Sequence, residues 1–303
     1  MVHVRKRTTL VDAPVLACIV DVPLPLPAGW EEQESGKGYL YAAKQHAESL
    51  GYKFEIFSLR EPGITPARLS NILYHRGVSG ILVGSMQDPS TRLPMDWSRF
   101  SSVAIGHSVA WPKLNCASNH QFHSMRTCYK KTRALGYCKI GLVLRPRIDT
   151  RVDHNLKASF MVEQLAEPAE NRVPILIIDP DRQDTFQDWY QTHRCDAVIY
   201  GGTALPIRHW LEALGYRVPQ DVGVVNVGLA DHSGRETGMI HNMHEVAAAA
   251  VDLLVSQMQN NRRGIPTNPH YLLLEGTWLE GRTTRKKRQK TKGLRKTSAE
   301  PRV

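Results

Sequence analysis

The sequence predicts an α/β chain of two lobes, each a doubly wound parallel sheet with helices on both faces. Three observations carry this. Runs of strand length, rich in Val and Ile and apolar on both faces, recur along the chain, as strands buried inside a parallel sheet do. Stretches of helical periodicity lie between them. Ten such runs in the first 281 of 303 residues exceed what one doubly wound sheet usually holds, so two lobes are expected.

The strands are expected, in order, at Val15–Val20, Phe54–Phe57, Gly80–Val83, Ser102–Ile105, Ile140–Leu144, Val173–Ile178, Ala197–Tyr200 and Val222–Val227. Two later ones are expected at His270–Glu275 and Thr277–Leu279. Tyr39, Leu40, Ala43, Ala47 and Leu50 fall on one helical face. Phe122, Met125, Tyr129 and a terminal Leu135 make a second, and Val246, Ala250, Leu253, Leu254 and Met258 a third. Shorter helical stretches surround Leu69–Tyr74 and Phe186–Tyr190, and the spacing of Phe186, Trp189 and Tyr190 reads Trp189 as packing. Leu-Gly-Tyr closes a helical pattern three times, at Leu50–Tyr52, Leu135–Tyr137 and Leu214–Tyr216. A glycine just past a helix takes the left-handed conformation that caps the last turn.

Composition is that of a globular protein, with 42% hydrophobic and 22% charged residues. The net charge of +10 is local. Residues 282–303 hold ten basic residues against Glu300, which leaves 29 basic (39 less ten) and 28 acidic (29 less one) in the first 281. The basic tail is expected to be disordered, either simply solvated or in weak, salt-sensitive contact with nucleic acid through Arg285, Lys286, Lys287, Arg288 and Lys290. It has no aromatic residue for stacking on bases. No uncharged apolar run reaches the ~18–20 residues that span a bilayer. The basic start at Arg5–Arg7 leads into too short an apolar run for a signal peptide, so a cytoplasmic location is expected. The five cysteines are odd in number, widely spaced and form no CxxC, consistent with reduced thiols.

Catalytic motifs are absent. There is no GxxxxGK[ST] loop, no GxGxxG after the first strand, no HExxH and no GxSxG. His120/His123 and His241/His244 are i,i+3 pairs with no Cys or carboxylate at ligand spacing, so no metal is expected. No cofactor is expected either, and the chain reads as a binder rather than an enzyme.

Val218–Asp231 resembles the "VPxDVxVVGFDD" strand and loop of the LacI/GalR regulators' effector domain. Ala47–Tyr52 is similar to the end of that family's first helix, and Val78–Val83 to its "VDGIIL" strand. Ala117–Asn119 and Ala134–Gly141 resemble its "DN … LGHRRIA", and Glu275–Gly281 a variant of its closing strand. The resemblance covers about residues 10–282. It implies two Rossmann-like lobes of the type I periplasmic-binding-protein-like kind, joined by three crossovers near residues 136, 241 and 266. The first lobe is then 12–136 plus 242–265, the second 137–241 plus 266–281, with 1–11 linker-like and 282–303 the tail. It further implies a sugar-like effector between the lobes, closure as the signal, and a homodimer that passes the signal to DNA. The family's regulators begin with a helix-turn-helix. Val4–Thr9 resembles the linker after it, so the DNA reader is expected to lie outside this chain.

Six ligand-binding candidates follow. Arg151 resembles the family's ligand arginine, a fork that grips two oxygens; Arg145 and Arg147 could serve equally. Asn155 sits one turn later. Asp21 ends the first strand at the mouth of the cleft and can accept from vicinal hydroxyls, and His107 follows the Ser102–Ile105 strand. Thr203 stands about where the family carries the Asp of an "ND" pair, and Asp231 matches the last Asp of the signature loop.

Overall fold

The computed structural model describes residues 13–26, 38–201, 205–229 and 231–287. The first sheet is built from β1 (Val15–Val20), β2 (Lys53–Ser58), β3 (Gly80–Val83), β4 (Ser101–Ile105), β5 (Asn115–Asn119) and, from far along the chain, β11 (Tyr271–Leu274). Its order is β11-β5-β4-β3-β1-β2, all parallel. The second holds β6 (Ile140–Leu144), β7 (Leu176–Ile177), β8 (Ala197–Gly201), β9 (Gly223–Asn226), β10 (Thr237–Ile240) and β12 (Thr277–Leu279). Its order is β12-β10-β9-β8-β6-β7, parallel except for the β10–β12 pair.

Helices cover both faces of both sheets. In β1, Leu16, Cys18 and Val20 face α1 (Gly38–Ser49) and α8 (Met243–Gln259), while Ala17 and Ile19 face α2 (Pro66–His75). This is the two-residue side-chain alternation of a strand buried on both sides. In the second lobe, α3 (Gln121–Ala134) and α5 (Asn155–Leu165) cover one face. The other face is covered by α6 (Gln183–His193) and α7 (Ile207–Ala213). Trp189 is buried among Phe186, Tyr190 and Trp210, the packing role its spacing predicts. The Leu-Gly-Tyr triplets hold their glycines left-handed, Gly51 at φ 86° and Gly136 at 94°.

Two strands escape the apolar-run reading. β5 is Asn-Cys-Ala-Ser-Asn, buried throughout although small and polar, and β10 is Thr-Gly-Met-Ile. The expected strand at Val173–Ile178 shrinks to β7, because Pro174 has no N–H for a ladder.

Two crossovers also differ from expectation. The first falls at His120, not near 136. Met125, Cys128 and Tyr129 of α3 share a core with Ile140, Leu142 and Ile199, so α3 belongs to the second lobe. The third falls at Glu275–Gly276, not near 266, because β11 pairs with β5 in the first sheet. The second lies at His241–Asn242, where β10 gives way to α8 on the first sheet. The three strands of the hinge are tied together. The His120 N–H donates to Leu274 O (2.7 Å), and Asn242 Nδ2 donates to Glu275 O (3.0 Å). His123 Nδ1 lies 2.8 Å from Glu275 Oε1, and its ring stacks on His120 at 4.2 Å.

The expected tail begins inside the second lobe rather than beyond it. The Val224 N–H donates to Thr283 O (2.8 Å), and Thr283 Oγ1 donates back to Val224 O (2.7 Å). Arg285 Nη2 reaches Gln220 O (2.7 Å), and Lys287 Nζ pairs with Asp196 (2.8 Å). These two cations are therefore engaged within the chain. Lys286 is exposed; Arg288 and Lys290 lie outside the described residues.

Candidate functional site

A cavity of about 470 Å³ opens between the lobes, at the C-terminal edges of both sheets. In parallel α/β sheets these edges are where loops diverge and ligands bind. On the first lobe it is bounded by Val20 and Val22 past β1, Ser85 and Gln87 past β3, His107 past β4, and Asn119 at the end of β5. Tyr39 and Leu40 of α1 close that side. The second lobe supplies Arg145 past β6, Arg151 at the end of α4 (Pro146–Arg151), Gly228 and Leu229 past β9, and His241 past β10. Among the described residues the lining includes two arginines and no aspartate or glutamate.

Arg151 crosses the cleft. Its Nη2 donates to Ser85 Oγ at 2.6 Å, while its Nε is buried without a partner. Ser85 is held in turn: its N–H donates to the Tyr39 hydroxyl (3.1 Å), and its Oγ lies 3.4 Å from Ser108 Oγ. Burial lowers the guanidinium's pKa, and nearby Tyr39 and Asp21 partly oppose that. The helix carrying Arg151 is braced by buried Asp149, which takes His154 Nδ1 (2.7 Å) and Lys157 Nζ (3.1 Å).

The other predicted residues divide. His107 lines the cavity and stacks on Tyr271 at 5.7 Å, with burial pushing its pKa down. Asp21 is buried just behind the wall. Its Oδ2 accepts the Gln87 N–H (2.5 Å), which staples β1 to the loop after β3, while its Oδ1 is buried without a partner. Asn155 bounds a side pocket of about 150 Å³, and its amide caps Val152 O (2.8 Å). Asp231 does not reach the cavity. Its oxygens accept the Ser233 N–H (2.8 Å) and Arg235 Nη2 (3.0 Å), the closed Asx-turn of a local loop. Thr203 lies outside the described residues.

Asn119, Gln121 and His241, not proposed from sequence, complete the wall with Arg145, the alternative to Arg151. Gln121 Nε2 donates to Asn119 Oδ1 (2.8 Å), which leaves Asn119 Nδ2 and Gln121 Oε1 buried and unpartnered. Arg145 Nε and His241 Nε2 are likewise buried and unpartnered. Arg145 directly follows β6, a strand legible in the sequence, whereas Asn119 and His241 end or follow β5 and β10, which the apolar pattern does not reveal. His120, His123 and Glu275 bring their ligand atoms within 4.8 Å of one another at the hinge. Glu275 is the carboxylate that linear spacing could not reveal.

Burial lowers the His241 pKa to about 4, against a hydrogen bond from the ring to the Val227 backbone carbonyl that raises it. The folded protein thus holds a neutral ring, and unfolding takes up a proton below the ordinary value of 6.5. The associated stability is complete above that value and is lost as pH falls toward 4. The full shift corresponds to about 3 kcal/mol. The ring keeps partial solvent access through the cavity, so about 2 kcal/mol is expected. In urea titrations the stability lost between pH 7 and pH 4.5 should shrink by about that amount in His241→Gln. An unchanged acid loss in the variant would refute this assignment.

Two α/β lobes joined by three crossovers, with a cavity at the strand ends, define a periplasmic-binding-protein-like domain of type I. The family model for the periplasmic binding protein-like domain matches residues 130–284, and the chain belongs to that family. Compared with curated proteins by sequence, the chain matches none. Among solved structures it is similar to the transcriptional regulator CelR in complex with cellobiose: 17% identity, 90% of this chain, 86% of that chain, TM-score 0.63. It is also similar to a LacI-family regulator from Weissella paramesenteroides with bound glucose: 16% identity, 90% and 98% covered, TM-score 0.62. A periplasmic binding protein/LacI transcriptional regulator from Alkaliphilus metalliredigens, complexed with D-xylulofuranose, aligns at 14% identity, 90% and 99% covered, TM-score 0.63. At these identities the likeness is one of fold. No helix among the described residues is long and apolar enough to cross a membrane.

Proposed function

We propose that this chain is the effector-sensing and dimerising part of a LacI-type transcriptional regulator, working in the cytoplasm and taking a small sugar-like molecule between its lobes. The observation that carries this is the interlobe cavity crossed by Arg151. A ligand seated there touches both lobes at once, so it favours one interlobe angle over others by its differential contacts. The cavity volume suits a molecule of one or two sugar rings. The neighbours solved with cellobiose, glucose or D-xylulofuranose support the class of ligand. Closure would pass through a symmetric dimer to DNA-reading segments. The chain is proposed as a binder rather than a catalyst: Cys18, Cys116 and Cys195 are buried, and burial pushes their thiols up to about 12, far from nucleophilic.

The experiment is a calorimetric titration with a panel of sugars, sugar acids, sugar phosphates and nucleosides. Small-angle scattering and analytical ultracentrifugation are run on the same samples. A saturable ligand that shrinks the radius of gyration of a dimer is the expected result. A monomer that closes on ligand favours a stand-alone binding protein of the same fold. No saturable ligand in the panel overturns sensing.

A further inference from the structure

We propose that the ligand of this cavity is anionic: a sugar-like molecule bearing a phosphate or carboxylate that Arg145 and Arg151 grip together. The proposal rests on the sensor reading above and names its substrate class.

The argument begins with charge. Both guanidinium groups bound one cavity, and among the described residues no carboxylate lines it. Elsewhere the chain pairs its arginines with acids: Arg126 with Glu163 (2.8 Å), Arg133 with Glu167 (2.8 Å), Arg217 with Asp221 (2.8 Å). Arg145 has no side-chain partner among the described residues, and its Nε is buried. Arg151 has only the neutral Ser85 hydroxyl, at 2.6 Å. Neither acid nearest the wall lines the cavity. Asp21 accepts the Gln87 N–H and lies close enough to Arg151 to oppose the lowering of its pKa, its Oδ1 being buried without a partner. Asp149 is held by His154 and Lys157.

Two cations that no ion pair closes face a partly desolvated space, and an arriving anion stabilises both at once. A planar guanidinium presents paired N–H donors at the spacing of two phosphate or carboxylate oxygens, so two of them make a converging clamp. A neutral sugar would ask the opposite of the site. Its hydroxyls need strong acceptors as well as donors, and carboxylates are the usual strong acceptors. In the described wall the buried unpartnered acceptors are both neutral: His241 Nε2, and the Gln121 amide oxygen next to the unpartnered Asn119 amide N–H. The amide pair serves one hydroxyl of the sugar ring, which leaves the acidic group for the arginines.

The test compares matched ligands by isothermal titration calorimetry: glucose with glucose 6-phosphate and gluconate, ribose with ribose 5-phosphate, and inorganic phosphate alone as competitor. The expected result is that an anionic member binds at least about tenfold more tightly than its neutral parent, a difference of ~1.4 kcal/mol. That advantage should fall about tenfold or more in Arg145→Gln and in Arg151→Gln, and weaken in high salt. Near-UV circular dichroism of both variants should match the parent, which separates a lost contact from a lost fold. Phosphate and carboxylate arms tell which acid is recognised. A neutral sugar that binds as well as or better than its acid overturns the anionic inference and leaves the sensor reading standing. Failure of every ligand to saturate overturns both.

Discussion

Tyr137→Ala is expected to destabilise the second lobe by about 4 kcal/mol and to release the segment that follows β12. The ring is fully buried, in a core with Ile140, Leu142 and Met239. It fills a notch that exists because residue 223 is glycine: a Cβ there would stand 2.6 Å from the ring's Cζ. No neighbouring side chain can collapse into a space this shaped, so truncation leaves a cavity as well as a lost transfer term. The hydroxyl accepts the Arg285 N–H at 3.1 Å, and the Lys287 ammonium sits 4.8 Å from the ring centroid. Loss of the ring therefore removes two of the contacts that dock residues 285–287. Urea unfolding should show the stability loss, and trypsin should cut after Arg285 and Lys286 faster than in the parent. Tyr137→Phe separates the two effects: it keeps the packing and should cost about 1 kcal/mol. A Tyr137→Ala loss within 1 kcal/mol would mean that the lobe repacks around the gap.

This residue marks where sequence reading works and where it stops. The Leu-Gly-Tyr pattern announces a helix cap, and Gly136 is left-handed. It does not announce that the tyrosine reaches across the sheet to a segment 148 residues on. Strands rich in Val and Ile were legible because burial on both faces leaves them no polar position. β5 was not, because its small polar residues take partners from beyond the strand: Gln121 Nε2 reaches Asn119 Oδ1, and the His270 N–H reaches Asn115 Oδ1. The periodicity of α3 shows that one of its faces is buried, but the same pattern fits either sheet. Which sheet it joins is decided by Met125, Cys128 and Tyr129 against Ile140 and Leu142, a tertiary choice.

The site follows the same division. Arg151 and His107 were reachable by asking what lies past a strand's C-terminal end, and both line the cavity. The same question puts Arg145 there, but not Asn119 and His241, whose strands the apolar pattern does not reveal, whereas motif likeness points to Asp231. The loop carrying Asp231 closes on itself through Ser233 and Arg235, so its carboxylate is satisfied before any ligand arrives. For the tail, a run of positive charge gives the sum but not the docking. Thr283 slots against β9 through a reciprocal pair of bonds with Val224, and this carries Arg285 and Lys287 back to the lobe.

Gly238→Ala is expected to cost about 3 kcal/mol or more and to blunt the response to ligand. Gly238 is the point where β10 is squeezed between two partners, facing Asn226 of β9 on one side and Leu279 of β12 on the other. A Cβ added there would lie 1.8 Å from the Asn226 carbonyl oxygen. That neighbour is backbone in the middle of a sheet and cannot rotate away, so the strands must part. Parting them disturbs the buried cluster in which Asn226 Nδ2 donates to the Tyr200 hydroxyl (3.1 Å) and to Glu236 Oε2 (3.2 Å). It also moves the end of β10. Three residues past Gly238, His241 stands against Gly228, where a Cβ would already touch its ring at 3.1 Å, and the second crossover begins. A shift of β10 therefore moves the cavity wall and the hinge together. Denaturant midpoints should fall, and scattering should show a smaller change in radius of gyration on adding ligand than in the parent. A cavity-wall variant such as Arg151→Gln should instead lose affinity with the fold intact. If Gly238→Ala kept both its stability and its closure, β10 would not be the element that joins the second sheet to the hinge.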